Sequence, residues 1–218
     1  MTLKKSTRTT LLLATLATTT LLGACAPLLI GGAMVGGSLM VIDRRTSGAQ
    51  IEDQGIEMKS LTRVSEAIGD RGHVSTTSYN RLVLITGEVP TEADKAAVEL
   101  AVARIENVRS IVNELAITSA SSLGTRSNDT LLTSKVKASM VDTKDLQTNA
   151  FKVVTERGIV YLMGRVTERE ANRAAEIARG VSGVVKVVKV FEIVTEGELA
   201  GTSAAPAPAA PPASAPKP

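Results

Sequence analysis

The 218-residue sequence holds one cysteine, one histidine and no tryptophan. A single cysteine excludes an intrachain disulfide, so no covalent staple supports a small core. Metal sites built from His and Cys need several such ligands, and this chain cannot supply them; neither a metal nor a cofactor is expected. Aromatic residues are limited to Tyr79, Tyr161, Phe151 and Phe191, which leaves Val, Ile, Leu and Ala to build any core. The apolar run Leu11 to Leu22 is too short for a membrane-spanning helix, which takes about 20 such residues. No dense basic run suggests a nucleic-acid partner. No catalytic constellation is visible either. His73 stands alone, and the acids Glu92, Asp94, Glu168 and Glu170 gather at helix starts, where the helix dipole favours them. The chain therefore reads as a non-enzyme. A phosphate-cradling loop needs more glycines than one. Gly87 and Gly164, each between a strand and a helix, read instead as tight-turn positions that exploit glycine's tolerance of positive φ or close backbone approach.

What is present begins at the N-terminus. Lys4, Lys5 and Arg8 precede the apolar run, and small residues precede Cys25. This is the pattern of a secretory signal peptide over residues 1–24. Leu21-Leu22-Gly23-Ala24-Cys25 resembles a bacterial lipobox. That resemblance implies lipidation of Cys25, which becomes the new N-terminus and tethers the chain by acyl groups. One acyl chain holds a membrane weakly, whereas several anchor it stably. Ala26 follows Cys25, without the acidic residue associated with inner-membrane retention. By resemblance to sorting rules, the expected location is the periplasmic face of the outer membrane.

Without residues 1–24 the charge balances at 22 basic and 22 acidic residues, so the whole-chain excess of +3 belongs to the signal. The balance is uneven along the chain: residues 43–118 carry nine basic and twelve acidic side chains, residues 126–199 twelve and ten. The second half is the better candidate to meet an anionic surface. A Gly-rich stretch from Gly31 to Ser38 reads as a tether. Gly201 to Pro218, almost entirely Ala, Pro and Ser, cannot bury enough apolar surface to order itself.

Between tether and tail lies an internal repeat. Leu82-Val83-Leu84-Ile85-Thr86-Gly87-Glu88-Val89 matches Ile159-Val160-Tyr161-Leu162-Met163-Gly164-Arg165-Val166 at a register of 77 residues. Each run is short and β-branched, as strands are. Each is followed by a capping-box pattern, Thr91 with Asp94 and Thr167 with Glu170. An Ala-rich helical stretch comes next, then a closing strand, Val108 to Ile117 or Val184 to Val194. Tyr79-Asn80-Arg81 and Glu156-Arg157-Gly158 mark hairpins. Ahead of these lie helical patterns: Leu61, Val64 and Ile68 in the first copy, Leu132, Val136 and Met140 in the second. Self-similarity over several elements indicates duplication. The expected fold class is α+β: two tandem units, each helix–strand–strand–helix–strand, with two helices on one face of a three-stranded mixed sheet.

This order, with the Gly-Xaa-Val step before the second helix, resembles the BON domain. The likeness is best through Val160 to Ala171 and Val181-Ser182-Gly183-Val184. The lipobox, Asp43-Arg44-Arg45-Thr46 and two such units together resemble the dual-BON outer-membrane lipoproteins over about residues 20–195. The expected organisation is a signal peptide at 1–24, a lipidated N-terminus and tether at 25–44, a first BON domain at 45–119 and a linker at 120–127. A second BON domain at 128–196 and a disordered tail at 197–218 complete it.

The resemblance implies binding of anionic, phosphatidylglycerol-like phospholipid through the first helix of the second domain, in support of envelope integrity and at division sites. On a helical period Leu131, Lys135 and Ala138 point away from the core stripe, flanked by Ser134, Lys137 and Val141, with Asp142 weakening that face. Apolar tips beside ammonium groups suit a headgroup layer. On the residues alone an ordinary solvated face is slightly favoured, since isolated exposed Leu residues are common. Relatives can carry a Trp where this chain has Leu131, so an interfacial anchor is missing. The alternative reading is a protein-interaction adaptor that assists the outer-membrane protein assembly machinery, with lipid contact incidental.

Overall fold

The computed structural model describes residues 43–203. Cys25, the glycine-rich tether and the tail beyond residue 203 lie outside the described residues. The first unit runs α1 (Ser47–Ile68), β1 (His73–Tyr79), β2 (Leu82–Val89), α2 (Glu92–Ala103), β3 (Ser110–Asn113) and β4 (Ala116–Ile117). The second runs α3 (Leu123–Val141), a single 3-10 turn at Thr148–Ala150, β5 (Phe151–Glu156), β6 (Ile159–Val166), α4 (Glu168–Gly180) and β7 (Lys186–Ile193). A short α5 (Glu196–Ser203) follows. In both units the middle strand is central: β1 and β5 pair with it antiparallel, the closing strand parallel. The architecture is the expected α+β duplication, except that the first unit's closing strand divides into β3 and β4, both paired with β2.

Side chains set the element boundaries. Thr46, Thr91, Ser122 and Thr167 each accept the backbone N–H three residues on, satisfying donors that a helix start leaves open. At Thr167 the box is complete, because Glu170 also accepts the Thr167 N–H. Two-residue hairpins close β1–β2 and β5–β6, with positive φ at Asn80, Arg81, Arg157 and Gly158. Such turns match the twist of the strands they join.

The cores follow the helix and strand periods. In the first unit Ile56, Val64 and Ile68 of α1 meet Val83, Ile85 and Val89 of β2 and Val98 and Val102 of α2. In the second, Val136 and Met140 meet Val160, Leu162 and Val166, with Ala171, Ala174, Ala175 and Ala178 of α4 packed against the same cluster. A third cluster joins the units: Tyr79, Leu84, Tyr161, Met163 and Val190 pack together from the sheet faces that carry no helix. Back-to-back burial of the two sheets explains why both central strands are apolar on both sides.

Five expectations are corrected. Gly87 and Gly164 do not form turns; they lie inside β2 and β6, opposite Val74 and Phe151. Glycine is needed there because a Cβ would collide with the carbonyl oxygen of His73 or Ala150, and Gly87 also has φ of +117°. Leu61 is not core but 66% exposed, and Ser60 takes the inward position with its hydroxyl donating to the Ile56 carbonyl. The stretch 120–127 is only partly a linker, since the Ser122 cap starts α3 at Leu123. Residues 197–203 of the expected tail are helical, in a helix that opens at Glu196 and is started by reciprocal hydrogen bonds between Thr195 and Glu198. Asp43 and Arg44 are not tether: Arg44 pairs with Glu170 at 2.7 Å, and Asp43 with Arg45 at 2.7 Å.

Candidate lipid interface

The orientation of α3 is fixed by its inward side. Leu132, Val136 and Met140 are buried. Asp129, also buried, reaches the β5–β6 turn, where it accepts the N–H groups of Arg157 and Gly158, each at 2.8 Å. Thr133 adds a hydroxyl bond to Thr155 at 2.7 Å. With that side locked, the opposite face must point to solvent.

All six proposed contact residues, Leu131, Ser134, Lys135, Lys137, Ala138 and Val141, are exposed on this face. Leu131 and Val141 are 62% and 67% exposed. The Ser134 hydroxyl is occupied, donating to the Thr130 carbonyl at 3.0 Å. Two residues apart on a helix is slightly more than half a turn, so Lys135 and Lys137 stand on opposite flanks of the apolar strip. Neither lysine forms an ion pair among the described residues. Asp142 ends the helix on the exposed side. Leu123, 79% exposed, extends the strip by two turns toward the N-terminus. Sequence reasoning missed it by starting the helix too late; Ser122 with Thr125 three residues on was the available signal.

The Asp129 clamp was missed as well, although it is duplicated. In the first unit Asp53 of α1 accepts from Asn80 N–H at 2.7 Å, Arg81 N–H at 2.8 Å and the Ser78 hydroxyl at 2.6 Å. Arg45 completes that site at 2.8 Å from Asp53, with its guanidinium 4.3 Å above the Tyr79 ring. Burial acts to raise the Asp53 carboxyl, but the bonds from Ser78, Arg81, Arg45 and Asn80 outweigh it and hold it below its ordinary value. The recurrence of Asp ahead of each two-residue turn was the readable signal.

Beneath the first half of α3 lies a polar cleft lined in part by His73, Thr76, Arg126, Asp129, Thr133 and Glu156. Glu156 is pushed up to about 7, first by burial and then by the nearby carboxylates Glu88 and Asp129. On the far side of the second unit, Arg44 grips Glu170 with both terminal nitrogens at 2.7 and 2.8 Å and donates to the Arg165 carbonyl and Gln147. The Arg44 bond is the main reason that the Glu170 carboxyl is held down at about 2.

With this geometry in view, residues 53–119 and 128–195 each match the BON domain. The chain belongs to the BON family. Among its relatives is the outer membrane lipoprotein DolP of Haemophilus influenzae, 37% identical over 81% of this chain and 92% of that protein. A 21 kDa hemolysin of Actinobacillus pleuropneumoniae is 30% identical over 70% of this chain and 80% of its own length. The osmotically-inducible protein Y of Escherichia coli is 27% identical over 57% of this chain and 66% of that protein. This BON chain is an outer-membrane lipoprotein of the DolP-like type. Among the described residues no helix is long and apolar enough to cross a membrane.

Proposed function

We propose that this BON lipoprotein is a binding protein rather than an enzyme, and that the outward face of α3 binds anionic phospholipid of the phosphatidylglycerol class. That contact supports envelope integrity, including at division sites. The carrying observation is the strip of Leu123, Leu131 and Val141 with Lys135 and Lys137 on its two flanks. Apolar tips enter the headgroup boundary while the ammonium groups meet phosphates. Each lysine contributes on the order of 1 kcal/mol at an anionic surface. Leu131 adds roughly 1.5–3 kcal/mol if fully buried, and less at the interface.

The test is binding of the chain to vesicles of phosphatidylglycerol and of phosphatidylcholine. Leu131→Glu with Lys135→Glu should abolish most of the phosphatidylglycerol binding and leave the unfolding transition in place, because neither side chain faces the core. Added salt should weaken the lysine share and spare the leucine share, since only charges are screened. Undiminished binding by the folded double mutant would move the site off α3. It would also favour the adaptor reading, in which the partner is the outer-membrane assembly machinery.

A further inference from the structure

β1 is an edge strand of the first sheet, and part of its outer side is unpaired. The carbonyls of Arg81, Ile85 and Val89 turn away from β1 to accept from Arg109, Glu114 and Thr118. Leu82, Leu84, Thr86 and Glu88 are thereby left to bond β1, through Tyr79, Thr77, Ser75 and His73. Val74, Thr76 and Ser78 between them turn their N–H and C=O groups outward. Ser78 is closed: its N–H donates to Glu57 at 2.8 Å and its carbonyl accepts from Lys152 at 3.2 Å. Val74 and Thr76 have no such partner among the described residues. Two donors and two acceptors stand in line there, the template that an unpaired edge offers to another strand.

A cavity lies on each face of this edge. On the α1 face, about 190 Å³ is bounded by Leu61, Val64, Ser65, Val74 and Thr76. The Thr76 hydroxyl is buried there without a hydrogen-bond partner. On the opposite face lies the cleft beneath α3, about 300 Å³, bounded in part by Ser75, Thr86, Arg126, Thr130 and Glu156. Leu61 stands at the rim of both cavities and belongs to an exposed, uncharged stripe of α1 with Ile51 and Met58. Successive side chains of a strand point to opposite faces, so a strand laid on β1 sends them alternately into the two cavities. The cleft side is short of positive charge. Glu156 forms no ion pair among the described residues; Arg126 and Arg157 act on it less than burial, Glu88 and Asp129 do. Glu88, on the same strand face as Thr86, is wholly buried. One of its carboxylate oxygens accepts the Ser121 N–H at 3.1 Å and the other has no partner.

We propose that the outer edge of β1 at Val74 and Thr76 is a strand-addition site for an extended segment of a partner protein, which places a β-branched residue against Leu61 and a lysine or arginine at Glu156. The open backbone groups select a peptide, since main-chain bonds supply the affinity in this mode and the alternate pockets supply the specificity. Antiparallel pairing lets Val74 and Thr76 each exchange both bonds with a single residue of the segment. The contact is short, because Glu57 and Lys152 close the edge at Ser78. It does not use the outward face of α3, so it is independent of lipid binding there.

The experiment uses the full lipidated chain in phosphatidylcholine nanodiscs, whose lack of net charge keeps a basic probe off the lipid. The probe is the end-capped, fluorescent peptide Ser-Val-Thr-Lys-Thr-Val-Ser, with binding read by anisotropy and amide exchange followed residue by residue. Its threonines share a face with Val74 and Thr76, and its lysine points to the cleft. Binding should slow exchange at the Val74 and Thr76 N–H groups and leave that of Ser78, already bonded, unchanged. N-methylation of both threonines, whose N–H groups meet β1, should abolish binding, whereas N-methylation of the lysine should not. Replacing the lysine by glutamate should weaken binding about tenfold, the scale of one charged hydrogen bond, and Glu156→Gln should remove that preference. No binding at millimolar peptide would overturn the proposal. So would undiminished binding by the threonine-methylated probe, or slowed exchange on α3 in place of β1. A lysine preference that survives Glu156→Gln also overturns it, since the cation would then sit elsewhere.

Discussion

The first helices of the two units share one inward face and differ on the outward one. Both α1 and α3 bury an aspartate against a hairpin turn and a stripe of three or four residues against the sheet. Outward, α1 offers an uncharged stripe, whereas α3 offers leucines and a valine between two lysines. The inward face is set by the fold and was retained on duplication. The outward face was free to diverge, and the divergence left an uncharged stripe on α1 and apolar residues flanked by lysines on α3. The aspartate sites diverge too. Among the described residues Asp53 holds Arg45, Ser78 and two backbone N–H groups, while Asp129 holds the two N–H groups of its turn.

That difference can be broken by mutation. Asp53→Ala leaves Arg45 with Asp43 alone, frees a hydroxyl and two backbone N–H groups, and should cost roughly 4 kcal/mol in urea unfolding. Asp129→Ala should cost about 2 kcal/mol. Equal losses would show that Arg45 adds nothing to the first site. Next in size is Glu170→Gln, which removes the charge that Arg44 grips. A penalty of about 3 kcal/mol at neutral pH is expected. The Glu170 carboxyl is held down at about 2 by Arg44, so its stabilisation is present above the ordinary carboxyl range, near pH 4.5, and is lost as pH falls toward 2. The gap between wild type and Glu170→Gln should therefore narrow over that window, and a constant gap would mean that Arg44 is not the cause.

The smallest effect tests where the hairpins differ. Glu156 occupies the position before its turn that Tyr79 occupies in the first unit. Tyr79 is buried beneath Arg45, whereas Glu156 sits among other carboxylates and is pushed up to about 7. A raised carboxyl stabilises the fold below its ordinary range and loses that contribution as pH rises through 7. Glu156→Gln should be more stable than wild type at pH 8 by about 1–2 kcal/mol, after allowance for solvent screening. The difference should vanish below about pH 4.5. A difference independent of pH would place the strain elsewhere in the cleft.

Much of the fold was legible because periodicity reports burial. The stripe Leu132, Val136 and Met140, the caps at Thr91 and Thr167 and both hairpins could be read locally. Leu61 misled because hydropathy ranks it above Ser60, yet Ser60 satisfies its hydroxyl within the helix and can be buried. The apolar runs Leu82 to Ile85 and Ile159 to Met163 read as strands, but the expectation covered one face of each sheet with helices and did not foresee that each sheet would cover the other's open face. The Arg44–Glu170 pair joins residues far apart in the chain and leaves no local signature. The outward face of α3 was readable from the helical period, while Leu123 depended on a cap residue that looked like linker.

The Arg44–Glu170 pair also defines a path for mechanical load. Any tension applied through the chain ahead of Asp43 meets this grip at once. One residue later the chain is gripped by the second unit, and Arg45 then ties it to Asp53 of the first. Force is thereby shared between two separate ion pairs and cannot begin by peeling α1 from its sheet. The two units thus share one point of restraint on the chain that enters them, and a load applied there is carried by both.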